Sequence, residues 1–267
     1  LLLQNKASSW KKLLKSPLPD VQSLAIEQLR RAGALSSADL LRIYRESPYG
    51  VVRLEALMAL SATPNDHFIT AMTEASQDAY ELVQRQAIRF IAKNGDRRLI
   101  PALIRLSIAN NTSDRCNFNV MTALACFPKE DLLAEFDRQF DAPSVQYLDK
   151  NNLRGKIRNT IAHSADRLTT DIDKVVKGEA SEKDRTFTIR ALRNTLPHHK
   201  VPELLVYLQD CGDGNTQILL LEALGWHTVS CHAADIAATA LKMSEDASLP
   251  DAVRQEALKT YLRIHEK

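Results

Sequence analysis

The sequence is poor in the residues that shape β-rich folds. Its 267 residues include only 8 glycines and 10 prolines, and aromatic residues make up 6%. Sheets joined by tight turns need glycine and proline at many turn positions, and their strands favour aromatic and β-branched side chains. Leucine and alanine instead dominate the apolar segments, and both lose little conformational freedom in a helix. The composition therefore favours an all-α fold.

A long apolar run is also missing. No stretch of about 18 consecutive apolar residues occurs, so the sequence predicts no membrane-spanning helix. The sequence opens with Leu1-Leu2-Leu3, followed by Lys6 and further lysines up to Lys15. This composition fits an ordinary capping helix, and it also fits the basic flank of a membrane helix lying upstream. We therefore expect a cytoplasmic chain, with membrane association through an upstream anchor as the alternative.

The motifs of familiar catalytic, cofactor and metal sites are absent from the sequence. It contains no glycine-rich phosphate loop, no GxSxG and no HExxH. The one cluster of ligand-type side chains is His227, Cys231, His232 and Asp235, and its spacing fits no structural zinc site. We expect a turn between helices there, and another around His198. No catalytic, cofactor-binding or metal-ligating residue is predicted, and we expect that the chain is not an enzyme.

The four cysteines form no CxxC pair. Cys116 and Cys126 are predicted on one helix, about 15 Å apart at ~1.5 Å per residue, which is too far for a disulfide. We expect buried free thiols in a reducing compartment.

Charge is distributed unevenly along the chain. Residues 1–200 carry 30 Lys and Arg against 23 Asp and Glu, whereas residues 201–267 carry 5 against 10. Dedicated duplex-DNA binders concentrate far more positive charge than this. The charge balance therefore favours a protein partner over a nucleic acid.

An internal repeat appears at a period of about 33 residues. An apolar anchor is followed by a small or apolar residue four positions on and by another apolar residue eight positions on, which places all three on one helical stripe. Successive anchors are separated by 29 to 37 residues. Clear copies begin at Val21, Val52, Val83 and Leu153, and weaker ones at Cys116, Phe187, Thr216 and Val253.

A second set of helices is predicted between these stripes. The sequence predicts helices over Ala38–Arg45, Arg98–Ile108, Pro202–Gln209 and Ala233–Met243. N-caps are expected at Ser36-Ser37, Asp66, Asp131 and Asp166, and a longer loop over Lys177–Asp184. Because one helix pair cannot bury both its faces, the pairs must stack into a continuous core. No linker divides the chain, so we expect one domain over residues 1–267.

Two segments resemble the HEAT-repeat family of armadillo-type proteins. Val52-Arg53-Leu54-Glu55-Ala56-Leu57 and Val253-Arg254-Gln255-Glu256-Ala257-Leu258 both carry a Val-Arg-x-x-Ala-Leu pattern that is similar to the family's signature. The resemblance implies an α solenoid, a right-handed α-α superhelix of about eight helix pairs. It also implies that the arginine after each anchor is structural, which applies to Arg53, Arg154 and Arg254. This architecture serves scaffolds, nucleic-acid binders and a few enzymes, so it specifies fold better than function.

A candidate partner-binding surface follows from the same resemblance, since the second helix of each pair lines the concave side in this family. Positions three and six after each anchor then face away from the core. They include Arg89, Lys156, Arg190 and Arg193 in the middle of the chain. These cations form either an ordinary solvated face or a groove for an acidic peptide or protein tail. Binding of a phosphate backbone is the third alternative for these cations.

Three function classes follow. The first is a non-catalytic protein-binding scaffold or adaptor of unknown partner. The second is nucleic-acid binding through the central basic stripe. The third is a DNA glycosylase similar to the HEAT-like alkylpurine enzymes, but Trp10 and Trp226 lie too far apart in the sequence to predict a shared base pocket. We expect the first.

Overall fold

The computed structural model describes residues 2–109, 117–141 and 150–265. These residues form fifteen α-helices and two short 3₁₀ helices, and no strand occurs among them. The prediction of an all-α fold is therefore confirmed. None of the helices in these ranges is both long and apolar enough to cross a bilayer.

The helices form two compact units, Leu1–Phe90 and Ile91–Lys267, with the boundary inside α6. The first unit contains α1 to α5 and most of α6. Their bounds are Leu2–Leu13, Pro19–Arg31, Ser37–Glu46, Gly50–Leu60, Asp66–Ala75 and Glu81–Asn94. The second unit contains α7 to α15. Their bounds are Ile100–Ala109, Asn117–Leu124, Lys129–Phe140, Lys150–Val176, Glu182–Leu192, Val201–Asp210, Gly214–Leu224, Ala233–Glu245 and Asp251–His265. The 3₁₀ helices, Arg97–Leu99 and His198–Lys200, lead into α7 and α12.

Each unit consists of two layers of helices. In the first unit α2 packs on α4, and α3 packs on α5. In the second unit α11, α13 and α15 pack side by side, while α12 packs on α14 and α7 on α9. The predicted stripes supply the core, and most of their residues are fully buried, as at Ala56, Leu60, Ala87 and Leu220. The four helices predicted between the stripes are present to within about two residues at each end, the variation normal for helix ends.

Several predicted helix boundaries are wrong. Asp131 and Asp166 lie inside α9 and α10, and α5 is capped by Asn65 rather than Asp66. Ser36 is a cap as predicted, and it forms a reciprocal capping box with Asp39. The expected loop ends earlier, because Ser181 caps α11. The anchor Cys116 lies outside the described residues.

The two halves of the 27-residue helix α10 pack against different neighbouring helices. Its first half buries Ile157 and Ile161 and pairs with α9, through ion pairs from Arg154 and Arg158 to Asp137. Its second half places Ile172 in the core shared by α11 and α12. No glycine or proline interrupts the helix between these halves, so nothing in the local backbone ends it at Asp166.

In several repeats the residue that follows the anchor caps the end of the preceding helix. Arg53 donates to the carbonyls of Ser47 and Pro48, at the C-terminus of α3. Gln84 donates to Ser76 O at 3.0 Å after α5, and Gln217 to Leu208 O at 3.1 Å in the last turn of α12. The last carbonyls of a helix lack intrahelical donors, and a long side chain from the next helix supplies one.

The structural role implied for the arginines is confirmed for two of the three. Arg154 bonds Asp137 and Asp141 at the end of α9, whereas the ion pair of Arg254 is with Asp251 in its own helix. Arg53 also forms a bidentate ion pair with Asp78, from Nη2 to Oδ1 at 2.7 Å and from Nε to Oδ2 at 2.8 Å. The Asp78 side chain is only 5% exposed. Burial alone would raise the pKa of Asp78, but the Arg53 guanidinium and the Tyr80 N–H hold it below its usual value.

Replacement of Asp78 by alanine should therefore destabilise the chain. The substitution leaves the half-buried Arg53 cation without its carboxylate, and removing one partner of a buried ion pair costs about 3 kcal/mol. Glu74→Ala is the matched control, because it breaks the exposed Arg45–Glu74 pair and should cost less than about 1 kcal/mol. Urea unfolding measures both values, and equal losses would contradict the assigned role of the Arg53–Asp78 pair.

Candidate functional site

The four predicted cations are all exposed, and two of them line one hollow. Arg89 lies on α6 in the first unit. Lys156 lies on α10 in the second unit. Arg190 and Arg193 lie at the end of α11 and line one hollow with Leu219, Glu222 and Ala223. Their role in binding stays a prediction.

The repeat register predicted for α11 is wrong. Phe187, predicted as a buried anchor, is 74% exposed, and the helix buries Thr188, Ile189 and Leu192 instead. The anchor position is Asp184, because Arg185 then follows it and reaches Asp213 at 3.3 Å, as Arg53 reaches Asp78. The sequence pattern placed the large apolar Phe187 at the buried anchor position. In the structure the small Thr188 is buried instead, four residues after Asp184. In the corrected register Phe187 and Arg190 occupy the two outward-facing positions.

Trp226, at the end of α13, is the centre of a cationic cluster. The guanidinium carbon of Arg193 lies 4.4 Å from the centroid of the Trp226 ring, and that of Arg263 from α15 lies 5.0 Å from it. Both distances are within the range of cation–π attraction, and tryptophan is the best partner for it. The Trp226 side chain is nevertheless 47% exposed. We call Phe187, Arg190, Arg193, Trp226 and Arg263 the arginine–aromatic surface.

The positive charge of this surface is only partly neutralised. Glu222 approaches Arg193 to 3.8 Å, which is an ion pair but too long for a hydrogen bond. No carboxylate of the described residues pairs with Arg190 or Arg263. The hollow between Arg190, Arg193 and Glu222 has a volume of about 380 Å³, and a second one of about 500 Å³ joins Arg190 to Phe187. The arrangement can therefore accept negatively charged and apolar groups side by side.

Loops from four parts of the second unit meet at a buried polar cluster, here called the loop junction: Asn94, His198, His227 and Ser230. His198 N–H donates to Cys126 O at 3.1 Å, and Asn94 Nδ2 donates to Val229 O at 2.9 Å. Cys231 N–H in turn donates to Asn94 O at 2.7 Å. These bonds join residues up to 135 positions apart. In a simple solenoid each repeat contacts only its neighbours. The hydrogen bonds of the loop junction join repeats that are not neighbours in the sequence, so the second unit departs from that simple arrangement.

The hydrogen bonds of the loop junction determine the tautomer of the neutral His198 ring. Its Nε2 lies 2.8 Å from Ala92 O, which can only accept, so Nε2 carries the proton. Its Nδ1, 3.0 Å from Ser230 Oγ, is then the acceptor of the serine hydroxyl. Burial lowers the pKa of His198 to about 3, against the opposing effect of the Ala92 bond. The imidazole is therefore neutral in the folded state.

Gly95 allows His198 to reach this position. A Cβ at residue 95 would lie 2.1 Å from two atoms of the His198 ring, and the residue has φ +73°. Both facts exclude a larger side chain, since a non-glycine residue is strained at that φ.

The loop junction also sets the spacing of the arginine–aromatic surface. His227 Nε2 donates to Leu192 O at 2.6 Å, and each of these residues adjoins a member of the surface. Trp226 precedes His227 and Arg193 follows Leu192. One buried hydrogen bond therefore holds the ends of α11 and α13 at the distance that the Arg193–Trp226 contact requires.

A hollow of about 480 Å³ opens beside the loop junction and is lined partly by Cys126, His199, Cys231 and His232. Burial raises the pKa of the Cys126 thiol to about 12, and partial desolvation also raises the pKa of Cys231. The expectation of buried free thiols is confirmed for Cys126, whereas Cys211 is half-buried and Cys231 is exposed. Within the described ranges no group of three or more His, Cys, Asp or Glu side chains is arranged to hold a metal ion. The residues His227 and Cys231 form part of a turn that ties helices together.

Comparison with known proteins adds no family assignment. A scan against protein-family models finds no match, and no curated protein is significantly similar in sequence. The likeness to HEAT repeats therefore rests on the residues of the repeat and on the two-layer packing of the helices.

Sequence reasoning missed Phe187, Trp226 and Arg263 as parts of one surface. Phe187 was assigned to the core, and Trp226 was considered only as one of two distant tryptophans. The available signal was the arginine that follows the anchor. Aligning Arg185 with Arg53 corrects the register and places Phe187 at an outward-facing position. The pairing of Trp226 with Arg263 had no such signal, because it depends on Gly225 and on the position of α15.

The neutral histidine of the loop junction should make stability depend on pH. In the unfolded chain His198 titrates near 6.5, whereas in the folded chain it stays neutral down to about 3. As pH falls below 6.5 the unfolded state gains a proton that the folded state does not, so the free energy of unfolding decreases. The loss is about 1.4 kcal/mol per pH unit, or about 2 kcal/mol between pH 6.5 and 5. Burial lowers the pKa of His227 too, which adds a loss of the same sign.

Urea unfolding at a series of pH values measures this loss. His198→Gln should be less stable than the native chain at neutral pH, because it alters buried hydrogen bonds, but should lose less stability on acidification. The carboxylates contribute equally to both proteins, so the difference between the two slopes isolates His198. Identical slopes would contradict a neutral buried His198.

Proposed function

We propose that the chain is a non-catalytic scaffold of the HEAT-like, armadillo-type class that binds a protein partner through the arginine–aromatic surface. The capping Arg53, Gln84 and Gln217 after three of the anchors support the HEAT-like assignment, and so does the layered packing of α11, α13 and α15. If the halves of α10 are counted separately, the fifteen helices make eight pairs. We infer that these pairs wind into a right-handed superhelix.

The observation that carries the binding proposal is the exposure of two large aromatic side chains beside uncompensated arginines. Phe187 is 74% and Trp226 is 47% exposed, and Arg190 has no ion-pair partner among the described residues. Tryptophan and arginine are enriched among the residues that dominate binding energy at protein interfaces. Exposed aromatics also gain most when a partner removes them from water.

Lys156 and Arg89 remain predicted members of the binding surface. Lys156 is exposed on α10, which packs against α11. Arg89 is exposed on α6 in the first unit. Replacing each of these two residues singly by glutamate, and measuring partner capture, tests whether that residue takes part in binding.

The test compares partner capture by the native chain with capture by Arg190→Glu plus Arg193→Glu. We expect at least a tenfold loss of the captured partner, because two interface arginines worth about 1 kcal/mol or more each are reversed. Arg42→Glu plus Arg45→Glu is the matched control. It reverses two exposed arginines at the same spacing on α3, outside the proposed surface. Circular dichroism verifies the helical fold of each variant.

Nucleic acid is the second candidate ligand of this surface. Exposed aromatic rings can stack on bases, and arginines bind phosphates, as in single-strand binders. The excess of acidic residues over residues 201–267 opposes it. Fluorescence polarisation with labelled single-stranded and duplex DNA at several salt concentrations decides between the two. Tight, salt-sensitive DNA binding that is lost in the Arg190/Arg193 variant would replace the protein-binding proposal.

The glycosylase alternative has its own test. Glu222 is the acidic residue near Trp226 and Arg193. Release of alkylated bases from DNA, abolished by Glu222→Gln, would establish an enzyme. We expect no base release by the native chain.

A further inference from the structure

Arg193 and Arg263 both contact an aromatic ring, and of the two only Arg193 has a carboxylate partner among the described residues, Glu222 at 3.8 Å. Both guanidinium groups contact the Trp226 ring. Arg263 has no acidic partner among the described residues, and its Nη1 is buried without a hydrogen-bond acceptor there. A cation–π contact orients a guanidinium but leaves its charge and most of its N–H donors available. The exposed Arg193 is therefore oriented and still able to bind an anion, and Arg263 can contribute only through its donors other than Nη1.

The position of Arg263 depends on the absence of a side chain at Gly225. A Cβ at residue 225 would lie 2.8 Å from Arg263 Nη1 and 3.2 Å from Thr260 Oγ1. Thr260 is fully buried, and its hydroxyl donates to Leu221 O at 3.0 Å, so it cannot move aside. The flexible end of Arg263 would have to yield instead. Gly225 thus provides the space in which Arg263 reaches the Trp226 ring.

We propose that Trp226 is a positioning residue that aligns Arg193 and Arg263 to bind a short acidic peptide segment of a protein partner. This inference rests on the proposed function and specifies the chemistry of the partner. Arginine forks match carboxylates with two parallel hydrogen bonds. Glu222, at 3.8 Å from Arg193, makes no hydrogen bond that an incoming carboxylate would have to break.

The surroundings of the arginines favour a peptide over a phosphate backbone. Phe187 adjoins Arg190 across one hollow, so apolar side chains of the segment have a contact next to the acidic ones. Glu222 lies beside Arg193. A continuous chain of phosphates would be repelled by this carboxylate, whereas a segment with separate acidic residues can place each one on an arginine. Charge complementarity therefore selects a segment that mixes acidic and apolar residues.

The experiment measures fluorescence polarisation with a labelled peptide in which glutamate and leucine alternate. The matched peptide replaces every glutamate by glutamine. We expect the glutamate peptide to bind the native chain about tenfold more tightly, since charge-assisted hydrogen bonds are about twice as strong as neutral ones. Added salt should weaken the binding of the glutamate peptide only.

Two variants that leave the charge unchanged test the positioning role. Gly225→Ala displaces Arg263, and Trp226→Leu removes the ring from an exposed position without altering the core. Each should weaken binding of the glutamate peptide about tenfold, a loss of about 1.4 kcal/mol. Gly155→Ala is the control, because a Cβ there meets nothing within 4 Å, and it should bind as the native chain does. Arg263→Lys keeps the charge but loses the fork and should also bind weakly.

The outcomes separate this inference from the function on which it rests. If both charge-neutral variants bind the peptide normally while Arg190→Glu plus Arg193→Glu does not, the positioning role is wrong and the binding surface stands. If the two peptides bind equally, the acidic class of partner is wrong, although partner capture can still depend on the arginines. Tighter binding of duplex DNA than of the peptide would overturn the choice of occupant. So would self-association in light scattering that the Arg190/Arg193 variant abolishes, because the occupant would then be a second copy of the chain.

Discussion

The second unit depends on the hydrogen bonds that neutral histidines make between distant loops. His198 joins the last turn of α6 to the loops after α8 and α13, and His227 ties the loop after α13 to the end of α11. Each bond satisfies a carbonyl or hydroxyl that is buried at the loop junction, where an unpaired polar group would cost about 1–3 kcal/mol. The imidazoles satisfy these groups, while His227 Nδ1 is itself buried without a partner among the described residues. The ends of α11 and α13 are fixed as a result.

This constraint gives the arginine–aromatic surface its preorganisation. Trp226 and Arg193 each adjoin a residue of the His227–Leu192 bond, so their contact does not have to be formed when a ligand arrives. Binding sites whose side chains are already ordered lose less entropy on association. A surface built at the ends of two rigidly connected helices is therefore better suited to selective binding than one built from mobile loops.

Capping by the residue after the anchor, seen in three repeats, explains how the repeat tolerates variation. Arg53, Gln84 and Gln217 all reach carbonyls at the end of the preceding helix, although only one of them is charged. The shared requirement is a long side chain with N–H donors, and the ion pair to Asp78 is an addition specific to Arg53. Repeats with glutamine at this position therefore escape a search for the Val-Arg pattern while keeping the same packing.

The sequence by itself determined the helical class, the approximate positions of most helices and the buried stripes. These properties follow from local periodicity, because residues four and eight positions apart necessarily share a helix face, as at Val52, Ala56 and Leu60. The sequence also identified Arg190 and Arg193 as outward-facing, even though the register assigned to α11 was wrong.

Only the tertiary structure decided that α10 continues through Asp166, that Phe187 faces solvent, and that two arginines contact the Trp226 ring. Each of these depends on contacts between residues far apart in the chain. The loop junction is the clearest case, since Asn94 and Val229 are separated by 135 positions. Periodicity contains no information about such separations, because it reports which face of a helix is buried and not which element covers it.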